Sequence, residues 1–389
     1  MTERIYFDNS ATTKICEKAL ERYIEISREC YGNPSSLHSL GFDAERILSS
    51  ARESVRKSLG AKDSDVIFTA SGSEANNLAI IGRALSKERY RTNGKILISD
   101  GEHASVGECA AFLRTLGFTV AQIPTRGGAI DLSRLEKELT PNVILVSMMM
   151  VNNETGALYD IPTVARMMKA HSPESYLHVD ATQSYMKIPF TKASIGADMI
   201  TLSSHKIEGP KGVGALLVDK KVTKAKGLAP LILGGGQEGG LRSGTENVPA
   251  IAAFAMAIDE SSRTVRDRYS YCNELREYIL GHIKSDEDFS GVIPIEPESH
   301  APHILNLILP GIKSETMLHF LSSYGIFVSS GSACSSNTRH LSPALLAYGV
   351  DERSTDFSIR VSLSHRNTKE EADKFLEALS LGIRRLARR

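Results

Sequence analysis

Lys206 stands in the stretch "SSHKIEGPKGVG" (203–214), after an apolar run that ends in small hydroxyl residues and before a second apolar run. A lysine at a sheet edge, partly desolvated and beside other cations, loses its proton near neutral pH and becomes an amine nucleophile of the Schiff-base kind. For a lone lysine a solvated turn is the ordinary reading. The residues that close the other apolar runs change that.

Gly72 and Ser73 follow "VIFTA" and open a helix-like segment, so free backbone N–H groups and a hydroxyl face outward as in a phosphate cradle. A plain N-cap built on Ser73 and Glu74 accounts for the same residues. His103 follows "KILIS" in the loop "DGEHAS", where a hydrogen-bonded surface histidine is the plainer alternative. Asn153 follows "NVILVSMMMV", where the alternative is an Asx turn. Asp180 closes "YLHVD", and a carboxylate at the end of a buried strand is costly unless it meets a cation or a donor. Gln183 comes within a turn of it. Taken in order along one sheet, these residues describe a ligand with a phosphate, a ring bearing a basic nitrogen, and an aldehyde. That ligand is pyridoxal 5′-phosphate, with Asp180 keeping the ring nitrogen protonated and Lys206 taking the aldehyde. His178, Asp180 and His205 offer no third clustered ligand, so no metal is expected.

The elements that must position these residues are seven strand candidates between about Asp65 and Asp219: "DVIFTA", "KILIS", "FTVAQIP", "NVILVSMMM", "YLHVD", "MITLSS" and "GALLVD". Most intervals are long enough for a crossover helix. The fold class expected is therefore α/β, a large domain with a mostly parallel seven-stranded sheet covered by helices, joined to a smaller α+β domain. In such sheets ligands bind outside the carboxyl ends of the strands. A long periodic stretch from Val248 to Ile283 reads as a connector into the smaller domain, whose strand candidates are "HILNLILP", "IFVSSG" and "SIRVSLS". The division expected is 16–262 for the large domain, with 1–15 and 263–389 forming the small one.

Forty-six basic residues balance forty-six acidic ones in the 389-residue chain, which gives no sign of a nucleic-acid or anionic-membrane partner. No apolar run reaches the length of a membrane span, and "MTERIYFDNS" lacks the pattern of a signal peptide, so a cytoplasmic protein is expected. The five cysteines, Cys16, Cys30, Cys109, Cys272 and Cys334, are scattered and include no CxxC pair, which argues against a disulfide framework or a zinc site.

The stretches "YFDNSATT", "YGNPSSLH", "SGSEANNLA", "EHASV", "VNNETG", "HVDATQ", "SSHKIEGPKGVGAL", "GGGQEGGLRSGTENVP", "SSGSACSS" and "SIRVSLS" occur in this order. Across nearly the whole chain the sequence resembles the cysteine desulfurases of the NifS and IscS type, within the class V, fold-type I pyridoxal-phosphate enzymes. The resemblance implies that Lys206 carries the cofactor and moves protons, that Asp180 pairs with the ring nitrogen and Gln183 with the ring hydroxyl, and that His103 stacks on the ring. It implies a phosphate site of Gly72, Ser73, Ser203 and His205, completed by Thr245 from the other subunit of a homodimer. Asn153 and Arg360 would bind the carboxylate of L-cysteine. Cys334, in a small polar Gly- and Ser-rich loop, would take the sulfur as a persulfide while alanine departs. It would then pass the sulfur to an iron–sulfur scaffold or a tRNA-thiolation enzyme. The other four cysteines read as apolar fillers. Glu208 departs from the family pattern and is expected to shape the cleft mouth. A selenocysteine lyase or another C–S lyase on the same fold is the alternative activity.

Overall fold

The computed structural model describes residues 4–86, 94–330 and 341–386. A short strand β1 (Ile5–Tyr6) precedes two helices, α1 (Glu17–Glu29) and α2 (Ser39–Ser58). Strands and helices then alternate through β2 (Ser64–Thr69), α3 (Gly72–Ala84), β3 (Lys95–Ser99), α4 (Ala104–Thr115), β4 (Thr119–Ile123) and α5 (Leu132–Glu138). The alternation continues with β5 (Val143–Met149), α6 (Ile161–His171), β6 (Tyr176–Asp180), α7 (Lys192–Ile195), β7 (Met199–Ser203), β8 (Gly214–Asp219) and α8 (Lys220–Lys224). Strands β2 to β8 are the seven that the apolar runs predict.

They form one sheet in the order β2-β8-β7-β6-β5-β3-β4. Only β8 runs antiparallel to its neighbours. The reason lies in the connection: the segment from Ser203 to Gly214 is too short for a crossover helix, so β8 must return beside β7. Both faces are covered, and alternation along the strands divides the side chains between two cores. Leu97 packs with Leu177, Val179 and helices α1 and α2 on one face. Ile96 and Ile98 pack with Ala75, Leu78 and Leu113 of α3 and α4 on the other.

After the sheet come α9 (Val248–Ser262) and α10 (Val265–Ser285). The expected single connector is thus two helices, broken at Arg263–Thr264, beside the weaker helix formers Ser261, Ser262 and Thr264. Ile258 of α9 lies in the core shared with α1 and α2, whereas Leu275 and Ile279 of α10 lie in a separate apolar cluster. That cluster is built with β10 (Ile304–Ile308), α11 (Ser314–Ser323), β11 (Ile326–Phe327), β13 (Ser358–Ser362) and α13 (Lys369–Leu386), while β9 (Ile293–Ile295) and α12 (Pro343–Tyr348) meet β10 in a smaller cluster of Ile295, Ile308 and Leu345, and β12 (Ser329–Ser330) lies at the sheet edge. Four of these strands make an antiparallel sheet in the order β12-β13-β10-β9, and β11 pairs in parallel with β1. Ile5 and Phe7 belong to the same cluster, with Phe7 edge-on to Phe375 at 5.7 Å. No helix among the described residues is long and apolar enough to cross a membrane.

Candidate active site

The chain turns sharply after β7. Ser204–Lys206 form one 3-10 turn, closed by a bond from the Ile207 N–H to the Ser204 carbonyl, 3.0 Å. The amine of Lys206 donates to the carbonyls of Ser10 and Ala11, at 2.6 and 2.7 Å. Thr13 fixes the same turn from the same segment: its N–H and hydroxyl both reach the His205 carbonyl at 2.9 Å, and its hydroxyl accepts from the Glu208 N–H. The motif "YFDNSATT" is therefore a strap across the lysine turn, a role that pattern reading alone does not supply.

In front of the turn lies a cleft of about 760 Å³ at the carboxyl ends of the large sheet, lined by Lys206 and Asp180 among others. Asp180 ends β6 as expected. Its two oxygens accept from the Asn76 amide at 2.8 Å and the Thr182 N–H at 2.9 Å. Asn76 is a site residue that the sequence reading passed over. It lies one turn after Gly72 on the same face of α3, and that spacing is the signal that could have found it. Beneath Asp180, His178 spans two hydroxyls, Ser147 at 2.8 Å and Thr201 at 2.9 Å. Burial pushes its pKa down to about 4, so it is a neutral brace for the sheet.

Helix α3 begins at the cleft. Its N-cap is Ser71, whose hydroxyl accepts from the Glu74 N–H, while the Glu74 carboxylate reaches back to the Ala70 N–H. With that pair serving as cap, Ser73 is released from the capping role. The N–H groups of Gly72 and Ser73 have no intramolecular acceptor among the described residues. Gly72 is needed for space: a Cβ there would come within 3.2 Å of both Ser203 Cβ and Thr182 Oγ1. Ser203 and His205 line the cleft beside it. His205 bonds Thr12 Oγ1 at 3.1 Å, and burial, reinforced by Lys206, Lys187 and Lys211, lowers its pKa to about 4.

His103 caps α4 through Nδ1, which accepts from the Ser105 N–H at 3.1 Å. The neutral ring therefore carries its proton on Nε2. Desolvation by the cleft walls, with Lys206 adding to it, holds the imidazole below its ordinary pKa against an opposing pull from Asp180. Next to it, Glu102 accepts from the Met149 N–H at 2.8 Å and from Ser99 Oγ, while its second oxygen is buried without a partner among the described residues. Burial pushes its pKa up to about 8.

Arg360 reaches the cleft from the other sheet. It sits in the middle of β13, buried, donating through Nη1 to the Asn153 carbonyl at 2.9 Å and pairing through Nη2 with Asp8 at 3.1 Å. Its Nε is buried with no partner among the described residues. Asn153 and Arg360, far apart in sequence, are thus adjacent in the cleft. Gln183 is also in place: its amide nitrogen donates to the Ser10 carbonyl at 2.9 Å, and its oxygen accepts from Lys187 at 3.0 Å.

Thr245 is exposed and does not line this cleft. Cys334 lies outside the described residues, but the described chain on either side of its segment is at the cleft. Ser329 pairs with Arg360 across β12 and β13, and Leu341 and Ser342 line the cleft wall, where Ser342 donates to Glu154 at 2.6 Å. Of the other cysteines, burial pushes the thiol of Cys109 up to about 12 and that of Cys272 up to about 11, so neither is an activated nucleophile at neutral pH.

Glu208 corrects an expectation. It is buried behind the lysine turn rather than at the cleft mouth, accepting from Arg366 at 2.6 Å and Arg268 at 3.3 Å. Its φ of 66° is the left-handed region that favours glycine, and the ion pairs hold the side chain there. Among the described residues no group of three His, Cys, Asp or Glu side chains is arranged to hold a metal.

The donor set fits pyridoxal phosphate on this chain's own geometry. A helix start free of acceptors and open enough for close backbone approach suits a phosphate, Asp180 suits a protonated ring nitrogen, and Lys206 suits the aldehyde. The chain belongs to the aminotransferase class-V family, which matches residues 5–375. It is similar to the cysteine desulfurase IscS 1 of Archaeoglobus fulgidus, 38% identical over 98% of this chain and 97% of that protein. It is 39% identical to a NifS/IcsS protein homolog of Lactobacillus delbrueckii subsp. bulgaricus, over 96% of each. Among solved structures, a NifS-like protein superposes with a TM-score of 0.90 at 36% identity, covering 99% of this chain and all of that one. A structure described as SspA in complex with cysteine gives 0.79 at 30% identity, covering 92% of this chain and 98% of that one.

Proposed function

We propose that the protein takes sulfur from L-cysteine and holds it as a persulfide on Cys334 for delivery to an acceptor protein. It is a pyridoxal-phosphate-dependent cysteine desulfurase. The observation that carries the reading is a single cleft in which Lys206, Asp180 and the open start of α3 face Arg360 and Asn153. When bound, the cofactor supplies an electron sink for the carbon skeleton of the substrate. Arg360 binds the substrate carboxylate beside Asn153, Lys206 takes and returns the α-proton, and His103, neutral and protonated on Nε2, serves proton transfer. The Cys334 thiolate then attacks the substrate sulfur. An S–S bond forms as the C–S bond breaks, the electron pair stays with the carbon skeleton, and the protonated skeleton leaves as alanine.

The protein works as a cytoplasmic homodimer. Support comes from exposed apolar side chains in two segments, Tyr31, Leu37 and Phe42 in one and Ile232 and Leu233 in the other, which a second copy would cover. Thr245, turned away from its own cleft, then completes the phosphate site of the partner. The acceptor is an iron–sulfur scaffold or a tRNA-thiolation enzyme. The apolar cores support a division into residues 16–262 and a smaller unit of 1–15 with 263–389, the latter carrying Arg360 and the Cys334 segment.

Mass spectrometry after brief exposure to L-cysteine tests the reading. Wild type should gain one sulfur on the peptide holding Cys334 and release alanine. Cys334→Ser should do neither while keeping its yellow colour. Full alanine production by Cys334→Ser, or sulfur on Cys16, Cys30, Cys109 or Cys272 instead, would replace the desulfurase with a C–S or selenocysteine lyase.

A further inference from the structure

Behind the lysine turn, on the side away from the cleft, is a second, small cavity of about 50 Å³ lined by Lys206, Lys187, Cys272 and His303. Lys187 has no part in the chemistry above. It makes no ion pair among the described residues, and the nearby carboxylate, Glu208, is already engaged by Arg268 and Arg366. The other charged or titratable groups around it are Lys206 and Arg360, the Cys272 thiol, and, across the cavity, His303 and His365. Burial, reinforced by Lys206, lowers the pKa of Lys187 to about 7. A lysine kept in such surroundings without a counter-ion is costly, and the one hydrogen bond its amine makes among the described residues shows what it does there.

That bond runs from Lys187 Nζ to Gln183 Oε1, 3.0 Å. On the other side, Gln183 Nε2 donates to the Ser10 carbonyl, 2.9 Å, the same oxygen that accepts from Lys206. The two contacts allow only one orientation of the amide. Flipped, Gln183 would set an oxygen against the Ser10 oxygen and an NH2 group against the Lys187 nitrogen. One N–H of Gln183 is used by Ser10, and the second is left to offer to a ligand in the cleft.

We infer that Lys187 is a positioning residue: it locks Gln183 with its N–H donors toward the cleft and thereby sets the acidity of the Lys206–cofactor linkage. The inference rests on the site reading above, in which Gln183 meets the ring hydroxyl. That oxygen neighbours the carbon bonded to Lys206. A donor held against it, with a cationic site behind, disfavours the protonated linkage and so lowers the pH at which it gives up its proton.

The test is the pH titration of the visible absorption band of the cofactor-loaded protein. Lys187→Met keeps the stem's shape and has no charge to desolvate, so folding should survive; Lys187→Leu gives the same reading from a second side chain. Both should move the titration midpoint upward, leaving the protonated fraction favoured about tenfold more at a fixed pH. Lys187→Arg, which still donates, should stay near wild type. Gln183→Leu should shift the midpoint as Lys187→Met does, and the double variant should shift it no further, because the two residues act through one bond. A wild-type midpoint in Lys187→Met, or additive shifts in the double variant, would overturn the positioning role. A band that persists in Lys206→Ala would instead sink the site reading itself.

Discussion

In front of the Lys206 turn the chain leaves polar atoms unanswered across a wide cleft, whereas behind it the polar groups, apart from the ring nitrogens of His303 and the charge of Lys187, are matched among the described residues. The cleft holds Ser10 Oγ, Asn76 Oδ1 and Arg360 Nε without partners among the described residues, together with the open N–H groups of α3. Behind the turn, Glu208 is shared by Arg268 and Arg366, and Lys187 is bonded to Gln183. Buried polar groups are ordinarily satisfied within a fold, so a cluster of unsatisfied ones marks where something else is bound. The difference teaches which residues act on a ligand and which hold those residues still. Altering the ligand-facing groups in front should cost chemistry with little effect on folding, altering the Glu208 ion pairs behind should do the reverse, and Lys187, which reaches the front through Gln183, should shift the cofactor linkage while the fold survives.

The largest effect should come from the cleft floor. Asp180→Asn removes the charge that holds the ring nitrogen protonated while keeping the acceptor for Asn76, and turnover should fall about 10²–10³-fold with most cofactor retained. Cofactor content by absorbance and alanine release measure the two halves; normal turnover would move Asp180 away from the ring. Arg360→Lys should act on binding: a lysine cannot make two parallel bonds to a carboxylate, and the apparent KM for cysteine should rise roughly 10–100-fold while cofactor content holds. An unchanged KM would place the carboxylate site elsewhere.

Behind the turn, Glu208→Gln leaves two arginines facing a neutral amide. Urea unfolding should show a loss of about 1–3 kcal/mol, less than for a fully buried pair because Arg366 is partly exposed. Turnover should change far less than in Asp180→Asn. A large catalytic loss at unchanged stability would erase the distinction between the two sides.

The smallest effect concerns Glu102, whose carboxyl is buried with one oxygen unpartnered and a pKa pushed up to about 8. The folded protein keeps this proton while the unfolded chain has already lost it, so wild type loses stability as pH rises from about 4.3 toward about 8. Glu102→Gln keeps the acceptor for Met149 and has no proton to lose. Its midpoint of thermal unfolding should therefore fall less steeply across that range and exceed wild type by a few degrees at pH 8. Parallel curves for the two proteins would show that Glu102 ionises normally.

The seven strands and the positions of Lys206, Asp180, Gln183, Gly72 and His103 after them were legible in the sequence for one reason. Each apolar run except β8 ends at the same edge of one sheet, and a polar residue closing or following such a run stands at that edge. Nothing comparable marks Arg360, which is the middle residue of a buried strand and reads as an ordinary interruption of "SIRVSLS"; the family resemblance, not the pattern, brought it to the cleft. Chain order likewise could not say which groups meet. The strap of Ser10, Ala11 and Thr13 over Lys206, the contact of Asn76 with Asp180, the pairing of Asp8 with Arg360 and the burial of Glu208 join residues distant in sequence. Local sequence determined where each element begins and ends and which residues stand at its tips, because backbone propensity and burial periodicity act over a few residues. Only the tertiary structure decided which tips are partnered by the protein and which are left open, because satisfaction of a buried polar group depends on atoms brought in from elsewhere in the chain.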